Sequence, residues 1–320
     1  MKIIKELKPS GKMARIAQEI RDSKYLLIMS QESDELSFID IYDLKDYSKV
    51  FSLKQENLTF ISELKSGNFV VTYKKTKLII ASLDFESKTL NTIQELLGHE
   101  VGDYYNVCDA KELPDGKLVT CSNHGEIIFW TLNPSLNTYE KFKLLNTHPN
   151  EYSSLLVDPQ RNKLVCAPCF DSSGTCIIDL STYEIIAKFD DVAGNGGNEI
   201  YFVNDNIVID NSAADEVGLF YIDMDKNEVV KHDPKFNNNN STCFLRLEND
   251  NLLCSIVVGD RAQAKEKLRV DIQCWEIDET GLDWKLLYNK EKAEESPILC
   301  MIQLKDGKIL TGSNLVKIYQ

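Results

Sequence analysis

A short turn phrase returns seven times along the chain. Turn-forming residues are followed at once by an apolar or aromatic residue, as DSKY at 22, SGNF at 66, DGKL at 115, RNKL at 161, NDNI at 204, NDNL at 249 and DGKI at 306. The intervals are 44, 49, 46, 43, 45 and 57 residues. Self-similarity at a nearly fixed period marks a repeat architecture, and it limits the fold more than composition does. Asp-Gly and Asn-Asp pairs accept the positive φ that tight turns need, so each copy reads as a hairpin.

The runs around each turn are rich in Val, Ile, Tyr and Phe and show little helical periodicity. A short first strand precedes the turn, as over 60–64 and 300–304. Second strands are expected over 69–72, 118–121, 164–167, 207–210, 252–255 and 309–312. Third strands follow over 36–44, 78–83, 127–132, 176–180, 217–222, 270–277 and 316–319. Shorter, more polar fourth strands are expected over 48–53, 89–96, 140–145, 184–189, 228–231 and 283–288. Four strands in a mid-forties period suit one blade of a β-propeller. The seventh repeat stops at its third strand, while one strand, 2–7, is left over at the start. Pairing 2–7 with the last blade, 296–320, gives seven whole blades in one domain, 1–320, and leaves fewer open edges.

The run Leu118 to Thr131, LVTCSNHGEIIFWT, resembles the second strand, turn and third strand of a WD-repeat blade. Gly98-His99 resembles the Gly-His that opens such repeats, and Ile309 to Ser313 resembles their second strand. The third-strand ending of apolar, any, apolar, aromatic recurs at Ile39 to Tyr42, Ile272 to Trp275 and Val316 to Tyr319. Blades 3, 6 and 7 carry the better motifs. The resemblance implies a seven-bladed propeller that serves as a protein-interaction platform. It also implies a hydrogen-bonded brace of His99, Thr120 and Trp130 in blade 3, with His124 standing where the family has Asp. Fold analogy alone does not settle function, because propellers also host enzymes.

The formal net charge is −14. That disfavours nucleic acid, whose affinity rests on Lys and Arg neutralising phosphates, and it suits a basic peptide or protein partner. No run reaches the length of a membrane span, and the charged start MKIIKELKPSGKM does not read as a signal peptide. Nine cysteines, an odd number in a large chain, fit a reducing, cytoplasmic setting.

Sharper chemistry is sparse. Cys166 and Cys169 form a C-x-x-C, but Cys166 occupies the interior strand position that Thr120, Cys254 and Thr311 hold in other blades, which reads as structural. The histidines at 99, 124, 148 and 232 form no metal-binding spacing. Asn195 to Asn198 includes two glycines but lacks the Lys-Ser/Thr of a phosphate loop. No cofactor and no metal is implied. The insertion 259–269 carries Arg261 among several basic residues, and the Asn run 237–240 reads as a spacer.

The connections between fourth and first strands and between second and third strands emerge on one face. The candidate partner-binding residues there are Glu100, Asp103, Tyr104, Tyr105, His124, Glu151, Tyr152, Phe170, Asp171, Asp215 and Arg261. Aromatics beside carboxylates on a loop-rich rim suit recognition. Two readings stand at this stage. One is a non-catalytic scaffold, alone or as a subunit of a larger complex. The other is a propeller enzyme of the metal-assisted hydrolase or lactonase type, which needs carboxylates, Asn or His from separate blades converging on a cation.

Overall fold

Among the described residues of this all-β fold, every strand lies in a four-stranded antiparallel sheet, and there are seven such sheets, the blades of a seven-bladed β-propeller. The structure is a computed structural model and describes residues 1–74, 77–100, 102, 105–147, 152–168, 174–190, 200–212, 218–233, 241–258 and 269–320. The described residues group into two compact units, described in turn. Unit 1 comprises Met1–Asn57, Phe202–Asp205 and Phe236–Gln320, and unit 2 comprises Leu58–Tyr201 and Asn206–Lys235.

Unit 1 holds blades 1, 6 and 7. Blade 1 is built from Met13–Ile20, Tyr25–Ser33, Leu36–Asp43 and Lys49–Glu56. Blade 6 is built from Ser241–Arg246, Leu252–Val258, Arg269–Ile277 and Trp284–Glu294. Its fourth strand runs six residues past the expected end at 288. Blade 7 takes Cys300–Gln303, Ile309–Gly312 and Val316–Tyr319, and its outer strand is Ile3–Leu7 from the other end of the chain. Leu7 pairs with Val316 and Ile3 with Tyr319. Leu26, Ile28, Leu310 and Ile318 pack between blades 1 and 7, and Leu253, Ile272, Met301 and Tyr319 pack between blades 6 and 7.

Unit 2 holds blades 2 to 4 and most of blade 5. Their strands are Leu58–Glu63, Phe69–Tyr73, Lys77–Asp84 and Thr89–Glu95; then Val107–Glu112, Leu118–Ser122, Glu126–Asn133 and Thr138–Asn146; then Tyr152–Asp158, Lys163–Pro168, Thr175–Asp179 and Glu184–Phe189; then Ile200–Phe202, Ile207–Ser212, Gly218–Asp223 and Glu228–Asp233. Strand Leu118–Ser122 is buried throughout, because it packs on both faces. Leu118 joins the core shared with blade 2, while Val119 and Cys121 join the core shared with blade 4. A strand covered on both sides shows a continuous apolar run rather than alternation.

Each outer strand carries a β-bulge, and the extra residue is apolar in all seven blades. Phe129 opposes Lys143 and Trp130 opposes Lys141, so Phe142 has no partner across the ladder. The same skip leaves out Ile4, Val50, Ile93, Ile186, Val230 and Leu287. Bulges interrupt an edge that would otherwise template pairing with another chain.

Five of the turns between third and fourth strands share one design. Asp43, Asp84, Asn133, Asp179 and Asp223 each accept the backbone N–H two residues on. Four residues on, Tyr47, Lys88, Asn137, Tyr183 and Asn227 take a left-handed φ between 53° and 60°. Neighbouring blades are then clasped. Lys308 of blade 7 lies over the Tyr47 ring of blade 1 at 5.7 Å, and Lys117 of blade 3 lies over Tyr183 of blade 4 at 5.5 Å. Lys163 of blade 4 donates to Asn227 Oδ1 of blade 5 at 2.7 Å.

These turns set an acid limit. The Ser87 hydroxyl lowers the pKa of Asp84, the Ser181 N–H lowers that of Asp179, and the Thr280 hydroxyl lowers that of Asp278. A depressed carboxylate contributes stability that is full above its unfolded value and is lost as pH falls through the folded one. The melting temperature is therefore expected to hold from pH 6 down to about 4, the ordinary Asp range, and to fall below it. A melting series across that range checks this. A decline complete above pH 5 would contradict it.

Candidate functional site

The best-built loop corner lies at one end of blade 3. Its foundation is a buried chain of hydrogen bonds. The Trp130 indole N–H donates to Thr120 Oγ1 at 3.0 Å. Thr120 Oγ1 lies 2.7 Å from His99 Nε2, and His99 Nδ1 lies 3.1 Å from Glu126 Oε2. One arrangement satisfies every group: neutral His99 donates from Nδ1 to Glu126, and the Thr120 hydroxyl donates to Nε2 while accepting from Trp130. His99, Thr120, Trp130 and Glu126 are all buried.

The acid of this brace is Glu126. His124, which stood at the expected acidic position, lies two residues earlier in the turn and points elsewhere. Between them, Gly125 has a φ of 85°, and this left-handed residue turns the chain so that Glu126 enters the blade. Burial works to raise the Glu126 pKa, but the hydrogen bonds from His99 and the Glu100 N–H outweigh it and hold the carboxyl below its usual range.

Glu126 also fixes the loop above. Its Oε2 accepts the Glu100 backbone N–H at 2.8 Å. That places the Glu100 side chain, 59% exposed, against His124 Nδ1 at 3.4 Å. The Tyr105 ring lies tilted against His124 with centroids 3.9 Å apart. Gly102 makes room for it, since a Cβ there would lie 2.5 Å from the Tyr105 ring. Asn123 closes the corner by accepting the Asn106 N–H at 2.6 Å. The structure thus gathers Glu100, Tyr105 and His124 into one carboxylate–imidazole–phenol surface.

Tyr152, expected on the same face, is instead fully buried. It packs with Phe129, Leu155, Cys121, Cys166 and Cys176 between blades 3 and 4. Burial raises its phenol pKa well above the ordinary value. Asp103, Tyr104, Glu151, Phe170, Asp171, Asp215 and Arg261 lie outside the described residues, as do Cys169, His148 and the runs 195–198, 237–240 and 259–268. Cys166 is buried opposite Cys176 across the ladder. Among the described residues, no group of three or more His, Cys, Asp or Glu side chains is placed to hold a metal ion.

A second buried acid, not anticipated from the sequence, braces blade 7. Glu294 sits at the end of the lengthened outer strand of blade 6. Its Oε1 accepts from the hydroxyls of Thr311 at 3.0 Å and Tyr319 at 3.3 Å, and its Oε2 pairs with Lys317 Nζ at 2.9 Å. Thr311 and Tyr319 hold the strand positions that Thr120 and Trp130 hold in blade 3. The turn after Ser313 contains no acid, so the carboxylate comes from the preceding blade.

No family model matches the chain, and no curated protein matches it. Among solved structures, it is similar to a chain of a crystal structure of a mitotic checkpoint complex, with a TM-score of 0.73 and 10% sequence identity. The match covers 100% of this chain and 94% of that one. Set beside the seven four-stranded blades, this likeness shows the fold, a seven-bladed β-propeller.

Proposed function

We propose that this chain is a non-catalytic interaction scaffold that presents the loop corner of blade 3 to a protein or peptide partner. The observation that carries the reading is the dedicated support beneath that corner. A four-member buried brace ends on the Glu100 N–H and holds an exposed carboxylate beside His124 and Tyr105. Recognition surfaces gain affinity when their groups are held in place before binding. An exposed carboxylate next to an aromatic ring suits a Lys or Arg of the partner, and the net charge of −14 steers a basic partner toward the surface. The similar solved chain belongs to a protein complex, and membership of an assembly is part of this proposal. So is a cytoplasmic location, on the strength of the odd cysteine count.

The test is a quantitative pull-down from source cells. Wild type is compared with a Glu100→Lys, Tyr105→Ala, His124→Ala variant whose fold is verified by circular dichroism. One or a few proteins should follow wild type and fall about tenfold or more on the variant, the scale of losing a central contact. Equal capture by both would overturn the blade 3 assignment. Stoichiometric calcium by elemental analysis of the purified protein would favour the hydrolase reading instead.

A further inference from the structure

A second surface of different character lies on the outer edge of blade 6, in unit 1. There Leu286, Leu287 and Tyr288 are consecutive and 43%, 47% and 41% exposed. Among the described residues no other run of three large apolar side chains is exposed. The cause is local. Leu287 is the bulge residue, because Trp275 opposes Leu286 and Cys274 opposes Tyr288. The bulge breaks the regular alternation, so the outer strand turns several apolar side chains to solvent at once. It also interrupts the edge ladder, which disfavours a partner that adds as a long β-strand and favours one that docks through side chains.

The same strand opens onto a pocket of about 480 Å³ lined by Glu276, Asp278, Glu279, Asp283, Trp284 and Lys285. Four carboxylates face one ammonium, and Lys285 is already paired with Glu276 at 3.2 Å. Asp278 is kept ionised by the Thr280 hydroxyl and the N–H groups of Asp283 and Leu282. Trp284 is held by two kinds of contact. Its indole N–H donates to the Gly281 carbonyl at 3.2 Å, and its ring meets Phe244 and Trp275 with centroids 6.5 Å and 6.3 Å away. An indole so held beside carboxylates is a favourable setting for a guanidinium or ammonium group.

We infer that the edge of blade 6 is a docking surface for a partner segment that sets apolar side chains beside Arg or Lys. The apolar residues cover Leu286, Leu287 and Tyr288, and the cation enters the acidic pocket against Trp284. Charge complementarity selects this occupant over a second copy of the chain, which would bring its own net charge of −14.

The probe is a fluorescent synthetic peptide repeating Arg-Leu-Ser, compared with its Glu-Leu-Ser counterpart, with binding read by anisotropy on the full chain. Wild type should bind the Arg peptide about tenfold or more tightly than the Glu peptide. A Leu286→Ser, Tyr288→Ser variant and, separately, Glu279→Lys should each lose about tenfold. All these side chains are exposed, so the variants should keep the wild-type melting temperature. Tyr105→Ala in blade 3 should bind the peptide as wild type does, which separates this surface from the proposed partner face. Equal binding of both peptides, or unchanged binding by the blade 6 variants, would overturn the inference. So would sedimentation showing a wild-type dimer that the Leu286→Ser, Tyr288→Ser variant loses, since the occupant would then be a second copy.

Discussion

Glu294→Ala is expected to destabilise the protein by about 3–5 kcal/mol, the cost of leaving one partner of a buried ion pair alone. Lys317 is 12% exposed in its side chain and sits 2.9 Å from the carboxylate it would lose. Thr311 would lose its acceptor as well, and Tyr319 would be left with the Ala293 carbonyl at 3.5 Å. Lys317 would keep only its bond to the Ala293 carbonyl at 2.8 Å. Two companion variants isolate the charge. Glu294→Gln keeps an acceptor for the hydroxyls and should lose less than Glu294→Ala. Adding Lys317→Met to Glu294→Ala removes the stranded ammonium and should restore part of the loss. Urea unfolding of the three proteins measures this. A loss below about 1 kcal/mol for Glu294→Ala, the range of an exposed pair, would show that the carboxylate does not anchor blade 7.

Thr120→Val should cost about 2–6 kcal/mol, taking about 1–3 for each of the two buried polar groups left without a partner. Valine matches threonine in shape, so the change opens no cavity and isolates the hydrogen bonds. The Trp130 N–H and His99 Nε2 both depend on that one hydroxyl. Thr120→Ser retains it and should stay within about 1 kcal/mol of wild type, since only a methyl is removed. The readout is urea unfolding together with hydrogen exchange at the Trp130 indole. An indole as protected in the valine variant as in wild type, at unchanged stability, would mean that the brace carries little of the blade. Partner capture should fall along with stability, because His99 steadies Glu126 and Glu126 holds Glu100.

The repeat was readable because its information is local. Asp-Gly and Asn-Asp mark their turns whatever surrounds them, and counting three strands plus one spare places Ile3–Leu7 beside Val316–Tyr319. What escaped depends on register. Tyr152 stands three residues before Leu155, so plain alternation places them on opposite faces. The register instead pairs Tyr152 with Pro168 and Leu155 with Cys166, two apart on the same strand. Ser153 is the bulged residue between them, and it brings Tyr152 round to the core face. Glu126 was hidden for a similar reason, since the left-handed turn at Gly125 decides which side chain enters the blade. Glu294 could not be assigned from blade 7's own repeat, because it reaches that blade from the preceding outer strand.

The lysine clasps bear on how such a chain could be assembled from copies of itself. The hook, Lys117 or Lys163, lies where the turn after a blade's first strand meets its second strand, and the residue it grips, Tyr183 or Asn227, lies in the last turn of the following blade. Blade 4 carries both halves, gripping forward with Lys163 and being gripped at Tyr183. A duplicated segment of this kind arrives with a fastener on each side. Tandem copies would therefore join in order from the moment of duplication, and sequence drift could follow without first inventing a way to hold neighbours together.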